Sequence, residues 1–294
     1  MDAKAIHGIV VPISTPIDSR QRYDPDGMIR LIEHQIDAGT HGIFFLGTCG
    51  EGPCFSSEEA KEIIDDVVNL VDGRTTVYAG VGRNSTSETC ELAAHAGISG
   101  ADYAVVMPPH FFMNLDDKSL IKHYTTVAQE GLPVVLYAHS CANPLSTSVV
   151  QALGSAGIAA GMKIGIADPE LEYFSQVVDA IPILQGDDAK IHESMKLGAV
   201  GSVPGAANVD PYLFSRLYAA AEIGDDETAL RLQEKVKELL TIVYERPESA
   251  IAALKHSLSY LGLCSGRMRA PNRGVSTAEA SDIENSLDDY FHCQ

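Results

Sequence analysis

"IAAGMKIG" (Ile158–Gly165) is the stretch on which the fold turns. Apart from Lys163 it is continuously apolar or small, with no alternation of polar and apolar residues. A strand with one face in water alternates; a continuous apolar run belongs to a parallel strand covered by helices on both faces. Seven further runs have a strand-like character: His7–Ser14, His41–Gly47, Thr75–Gly82, Tyr103–Pro108, Pro133–His139, Pro182–Gly186 and Gly201–Gly205.

Between these runs lie helical stretches with their own start and stop signals. One begins at Ser56 with acids in its first turn; another starts at Ser85, with a Ser85–Glu88 capping box, and ends near Gly97. "DDKSLIKHYTTVAQEG" and "DPYLFSRLYAAAEIG" also close on glycine. Eight strands, each followed by a helix, predict a (β/α)8 barrel, a TIM barrel of the α/β class. The competing doubly wound sheet lacks support, because no G-x-G-x-x-G follows the first strand. Beyond about Asp225 the pattern is helical only, in "DDETALRLQEKVKELLTIVYE", "ESAIAALKHSLSYLGL" and "STAEASDIENSLDDYF". The expected organisation is a catalytic barrel over residues 1–224 and a helical extension over 225–294, packed on the barrel or on a neighbouring subunit.

The 294 residues are 45% hydrophobic, ample for a core, and their net charge is −19. That acidity argues against nucleic acid or an anionic membrane as partners. No apolar run approaches the ~18 residues that cross a bilayer. "MDAKAIHGIVVPIS" runs straight into a strand without a leader pattern, so a cytoplasmic protein is expected. Six cysteines without a CxxC suggest dispersed reduced thiols.

In such a barrel the catalytic groups lie at the C-terminal ends of the strands. Of the ten lysines, Lys163 alone interrupts an apolar strand, the others reading as parts of charged helical or terminal stretches. A desolvated amine has a lowered pKa and attacks carbonyls as the neutral form. The competing reading, an ion-paired or snorkelling lysine, suits a barrel strand less well, since its side chain points either into the packed interior or under the helices. "LGTCGEG" (Leu46–Gly52) is a glycine-rich turn whose N–H groups and Thr48 hydroxyl suit a carboxylate. Tyr137, at the end of the fifth strand, suits either core packing or a proton relay. His110 and His139 both fall at strand ends, but no third ligand stands at a motif spacing, so no metal is expected. Asp187 and Asp188 suit either the site or a helix cap.

With these residues assembled, the chain resembles the pyruvate-dependent class I aldolases, the family of dihydrodipicolinate synthase, N-acetylneuraminate lyase and the 2-keto-3-deoxy sugar-acid aldolases. The likeness rests on "LGTCGEG", "AGVGRNSTSETCELAAHAGISGADYAVVMPP", "PVVLYAH", "GMK" and "LQGDD…LGAVGSVPGAANVDP", and it spans nearly the whole chain. It implies a TIM barrel and a lysine imine formed between Lys163 and pyruvate or another 2-oxo acid. The substrate carboxylate would lie at Gly47, Thr48 and Cys49, Tyr137 would move protons, and the backbone carbonyl near Val203 would line the pocket. No cofactor is implied, because the protonated imine is the electron sink, and members are typically homotetramers.

The departures carry information about substrate. Cys49 stands where the family has a hydroxyl residue, and His110 and Phe111 stand where it pairs tyrosines. Ile164 follows the lysine where an acid is common, and with Ile166 it should make the amine's surroundings more apolar. Any countercharge would then come from Asp187 or Asp188. Ala142 stands where the synthase branch keeps an arginine for its second substrate. The preferred expectation is therefore a lyase that cleaves a 2-keto-3-deoxy sugar acid, or a related hydroxy-2-oxo acid, to pyruvate and an aldehyde. His110 and His139 would be available to its hydroxyls. The alternatives are a 4-hydroxy-tetrahydrodipicolinate synthase, an imine-forming hydratase or dehydratase, and a non-catalytic 2-oxo-acid-binding relative.

Overall fold

Eight strands close into one parallel barrel in sequence order: β1 (Gly8–Pro12), β2 (Gly42–Phe45), β3 (Thr76–Gly80), β4 (Tyr103–Val106), β5 (Val134–Ala138), β6 (Ala159–Ile164), β7 (Ile183–Gln185) and β8 (Gly201–Ser202). β8 pairs back with β1 through Gly8 and Ile9 against Gly201 and Ser202. The computed structural model describes residues 4–164, 171–245 and 249–292. Gly165 to Asp168, the continuation of the lysine run, and with them Ile166, lie outside the described residues, as does Cys293.

The strand residues divide by parity into two apolar clusters. Val10, Phe44, Tyr78, Tyr103, Val105, Val135, Tyr137, Leu184 and Val203 pack together and fill the barrel interior. Their neighbours along the strands, such as Ile9, Ile43, Val77, Ala104, Leu136 and Ile183, pack outward with the helices. The continuous apolar runs are thus two interleaved faces, both buried. Met162 and Ile164 belong to the outer cluster, so Lys163 between them points into the interior. The expectation that Ile164 surrounds the amine fails for this reason: it lies on the opposite face of its strand.

The barrel helices are α1 (Pro25–Asp37), α2 (Ser57–Val71), α3 (Thr86–Ser99), α4 (Asp117–Ala128), α5 (Thr147–Ser155), α6 (Leu171–Val177), α7 (Ile191–Lys196) and α8 (Pro211–Glu222). α2 carries a complete capping box between Ser56 and Glu59. The box expected at Ser85 does not form, because the Ser85 hydroxyl meets the Ser87 hydroxyl at 2.7 Å instead. α3 also runs past Gly97 and stops at Gly100, whose φ of 103° is open to glycine.

Three helices follow, α9 (Asp226–Val243), α10 (Ala250–Tyr260) and α11 (Thr277–His292). α9 buries Leu232, Val236 and Leu239 on one stripe, and α10 buries Leu254 and Leu258. Lys255 on α10 is fully buried, contrary to the reading of the other lysines as parts of charged helical or terminal stretches. No described helix is long and apolar enough to cross a membrane.

Candidate active site

Register brings the chemistry together. β5 and β6 pair so that Tyr137 stands opposite Lys163, and both side chains enter the barrel. The Lys163 amine lies 4.1 Å from the Tyr137 ring centroid and 5.7 Å from that of Phe44. The Tyr137 hydroxyl in turn meets the Thr48 hydroxyl at 3.0 Å. Lys163 is 6% exposed, and no carboxylate among the described residues pairs with it. Aromatic faces return only about 0.5–2 kcal/mol to a cation, against several kcal/mol for taking it out of water. The Asp188 carboxyl is near enough to act on the amine, but no described side chain forms an ion pair with it, which suits a group waiting for a reaction partner.

The loop after β2 supplies the second wall. Leu46 and Glu51 both hold positive φ, 56° and 53°, at a cost of order 1–3 kcal/mol each unless the surroundings enforce it. For Glu51 the enforcement is visible. Its buried carboxylate accepts the Lys255 amine at 2.6 Å, the Arg269 N–H at 2.9 Å and the Asn272 amide at 3.1 Å. Gly47 is packed so closely that a Cβ there would sit 2.6 Å from the Phe44 ring. Thr48 is exposed at the mouth and Cys49 half-buried. Burial pushes the Cys49 thiol up to about 11, so it is a protonated thiol at neutral pH.

The remaining expected residues separate. His139 packs its ring edge-on to Tyr137, 5.5 Å between centroids, and its Nδ1 accepts the Cys141 N–H. Burial, helped by the Lys163 charge, holds its pKa below the ordinary imidazole value. Val203 is buried in the same interior cluster as Tyr137 and Phe44. His110 sits farther out, where its ring nitrogen meets the Asn84 amide at 3.3 Å. Ala142 is buried and offers no charge. Asp187 caps the turn after β7 by accepting the Ala189 N–H, and lies 3.8 Å from Lys190. Asp188 is buried, accepting the N–H groups of Gly205 and Ala206. Neither forms the ion pair with Lys163 that the sequence suggested. Burial raises Asp188 from 3.8 to about 7.

Four further residues shape the site without having been singled out in the sequence. Phe44 forms part of its floor, and Glu51 fixes the loop. Gly186 lets β7 approach β6, since a Cβ there would lie 2.0 Å from the Ile164 carbonyl oxygen and 3.3 Å from the Lys163 Cε. Arg83, after β3, lines the same cavity as Thr48 and Tyr137. The signal for Phe44 and Gly186 was period-two alternation and glycine at a strand end; Glu51 and Arg83 read only as polar loop residues.

A larger open groove, about 660 Å³, lies at the N-terminal ends of the strands beside His7, Lys196, Tyr218 and Glu222. It is remote from Lys163, and the C-terminal end of a barrel is where catalytic groups gather. Among the described residues no three His, Cys, Asp or Glu side chains come together as a metal site.

The profile of the dihydrodipicolinate synthetase family matches residues 5–289. An uncharacterised DapA-like lyase of Halobacterium salinarum is 34% identical, over 98% of this chain and 95% of its own length. The dihydrodipicolinate synthase of Bacteroides thetaiotaomicron superposes with a TM-score of 0.91 at 32% identity, covering 98% of this chain and 100% of that one. YagE of Escherichia coli K12, a prophage protein of the dihydrodipicolinic acid synthase family solved in complex with pyruvate, gives 0.91 at 25% identity, covering 98% and 99%.

Proposed function

The chain belongs to the dihydrodipicolinate synthetase family, whose members are carbon–carbon lyases, and from that premise we propose that it cleaves a 2-keto-3-deoxy sugar acid, or a related 4-hydroxy-2-oxo acid, to pyruvate and an aldehyde. The observation that carries the proposal is a buried amine with no carboxylate partner among the described residues, lying over a tyrosine whose hydroxyl is tied to a threonine.

In this reading the Lys163 amine adds to C2 of the oxo acid and water leaves, giving a protonated imine. The C4 hydroxyl gives up its proton, the C3–C4 bond breaks, and its electron pair moves into the imine to form an enamine. The aldehyde departs. C3 of the enamine takes up a proton, and water releases pyruvate and the free amine. Tyr137 and Thr48 form the relay that moves protons between substrate and solvent. The substrate carboxylate lies against the N–H groups of Gly47, Thr48 and Cys49, and the Val203 carbonyl lines the same pocket. The Cys49 thiol is too weak a donor to extend the hydroxyl relay. His139 and His110 face the aldehyde half.

The acceptor-side alanine, Ala142, supports cleavage of a hydroxy-oxo acid over condensation of pyruvate with aspartate semialdehyde. The synthase reading has its own support in the Bacteroides thetaiotaomicron structure, 32% identical over the full chain. Brisk turnover of pyruvate with aspartate semialdehyde, beside inert 2-keto-3-deoxy acids, would reverse the choice. Five described cysteines are free, which supports a cytoplasmic setting. A homotetramer is part of the same proposal, and light scattering on the eluted protein tests it. The mechanism itself is tested by reducing the protein with borohydride in the presence of pyruvate. One pyruvate-derived adduct at Lys163 is expected; an adduct elsewhere, or none, sinks the mechanism.

A further inference from the structure

Arg83 presents an unusual cation. One terminal nitrogen of its guanidinium donates to the Gly82 carbonyl at 2.9 Å. The other is buried and has no hydrogen-bond partner among the described residues. Burial disfavours the charged form, yet arginine stays protonated in proteins at any ordinary pH. The residue as a whole is half-buried, and a buried donor left without a partner costs about 1–3 kcal/mol.

The place of that nitrogen decides its meaning. Arg83 lines a cavity of about 40 Å³ together with Thr48, Met107 and Tyr137, and no Asp or Glu lines it. The loop is held from both sides. The Arg83 N–H donates to the Thr89 hydroxyl at 3.0 Å, and the next residue, Asn84, accepts the N–H groups of His110 and Phe111 at 2.8 Å each. The Glu88 carboxylate is near enough to act on the guanidinium's charge but makes no hydrogen bond to it, so a guanidinium on a fixed loop, lining one cavity with the relay tyrosine, keeps a donor for an anion from outside. Its planar fork matches a carboxylate.

We infer that Arg83 reads a second carboxylate, on the part of the substrate beyond C3, and that the substrate is a dicarboxylate. The inference rests on the imine reading of Lys163 and extends it. Arg83 follows β3, at a different wall of the pocket from Ala142 on the β5 side, and does not stand in for the arginine of the synthase branch. Its partner is therefore not placed as in the synthase branch. The carboxylate next to the oxo group remains with the loop after β2.

The test uses probes that form the imine without needing the true aldehyde. Pyruvate, 2-oxopentanoate and 2-oxoglutarate are each titrated with borohydride trapping at Lys163, read by intact mass. The last two share a five-carbon chain and differ in the terminal carboxylate. Wild type should be half-trapped at about 10- to 100-fold lower 2-oxoglutarate than 2-oxopentanoate, as for one charge-assisted hydrogen-bonded contact. Arg83→Ala and Arg83→Gln should abolish that preference, and Arg83→Lys should keep part of it. No preference in wild type, or one that survives either neutral variant, overturns the inference. Equal weakening of all three probes also overturns it, because Arg83 would then hold the carboxylate beside the imine. Should wild type trap pyruvate but show no preference, only the role of Arg83 falls; failure to trap any probe removes the imine reading and this inference with it.

Discussion

Two lysines are buried in this molecule, and their surroundings differ in kind. Lys255 is 0% exposed, 2.6 Å from the 1% exposed side chain of Glu51, whose other oxygen is occupied by Arg269 and Asn272. Lys163 is 6% exposed and has two aromatic rings for company. Burial alone thus says little about what a lysine does. A paired ammonium is a fastener: its charge is satisfied by the fold, and breaking the pair leaves an orphaned charge. An unpaired one, in the mechanism proposed above, is held in readiness, because its satisfaction comes from chemistry.

The comparison breaks first at Lys163→Met. Loss of turnover by about four orders of magnitude or more is expected when a covalent nucleophile is removed. Borohydride trapping should vanish while the melting temperature holds or rises. A substantial drop in melting temperature would mean that Lys163 is a fastener too. Lys255→Met should behave oppositely, losing about 3–5 kcal/mol in denaturant unfolding because Glu51 is left buried and unpaired. Adding Glu51→Gln to that variant should restore part of the loss; additive damage would show that the pair contributes little beyond packing. Tyr137→Phe keeps the ring over the amine and removes only the hydroxyl proposed as the relay. Turnover should fall about 100-fold or more, with trapping of pyruvate slowed and melting nearly unchanged. Near-normal turnover would take Tyr137 out of the proton path.

The smallest effect concerns the buried acid behind the site. Asp188 is raised from 3.8 to about 7. Between about pH 4 and 7 the folded protein therefore holds a proton that the unfolded chain has released. Its contribution to stability falls as pH rises through that window. Asp188→Asn should flatten this decline in denaturant unfolding measured across the same range. An unchanged slope would show that Asp188 is ionised in the fold, and the amine would then have a countercharge nearby after all.

Much of this was readable in the residues themselves. The barrel follows from apolar runs that do not alternate, and Lys163 from a charge inside one of them. The Lys163–Tyr137 contact needed strand register, which no single run specifies. Lys255 escaped notice because "AIAALKHSLSY" reads as an amphipathic helix, where a lysine ordinarily reaches solvent. Its partner lies in a loop far off in sequence. Arg83 sits in a turn beside Asn84 and Ser85, and only the closure of the barrel walls it in. The Ser85 capping box failed for a local reason, a neighbouring hydroxyl competing for the cap. Ile164 was misjudged through proximity in sequence, since adjacent strand residues face opposite ways.

The Glu51–Lys255 pair has a consequence for how the molecule is made. Its partners are 204 residues apart, and ribosomes deliver the chain from the N-terminus. Closing so long a loop costs only about 0.6 kcal/mol more than closing one half its length, so distance is no thermodynamic obstacle. It is an obstacle in time. Strand pairing and the loop beside the amine emerge early, whereas the fastener that sets Glu51 arrives with the last helices. Glu51 therefore cannot be fastened until α10 has left the ribosome, some 204 residues after its own loop.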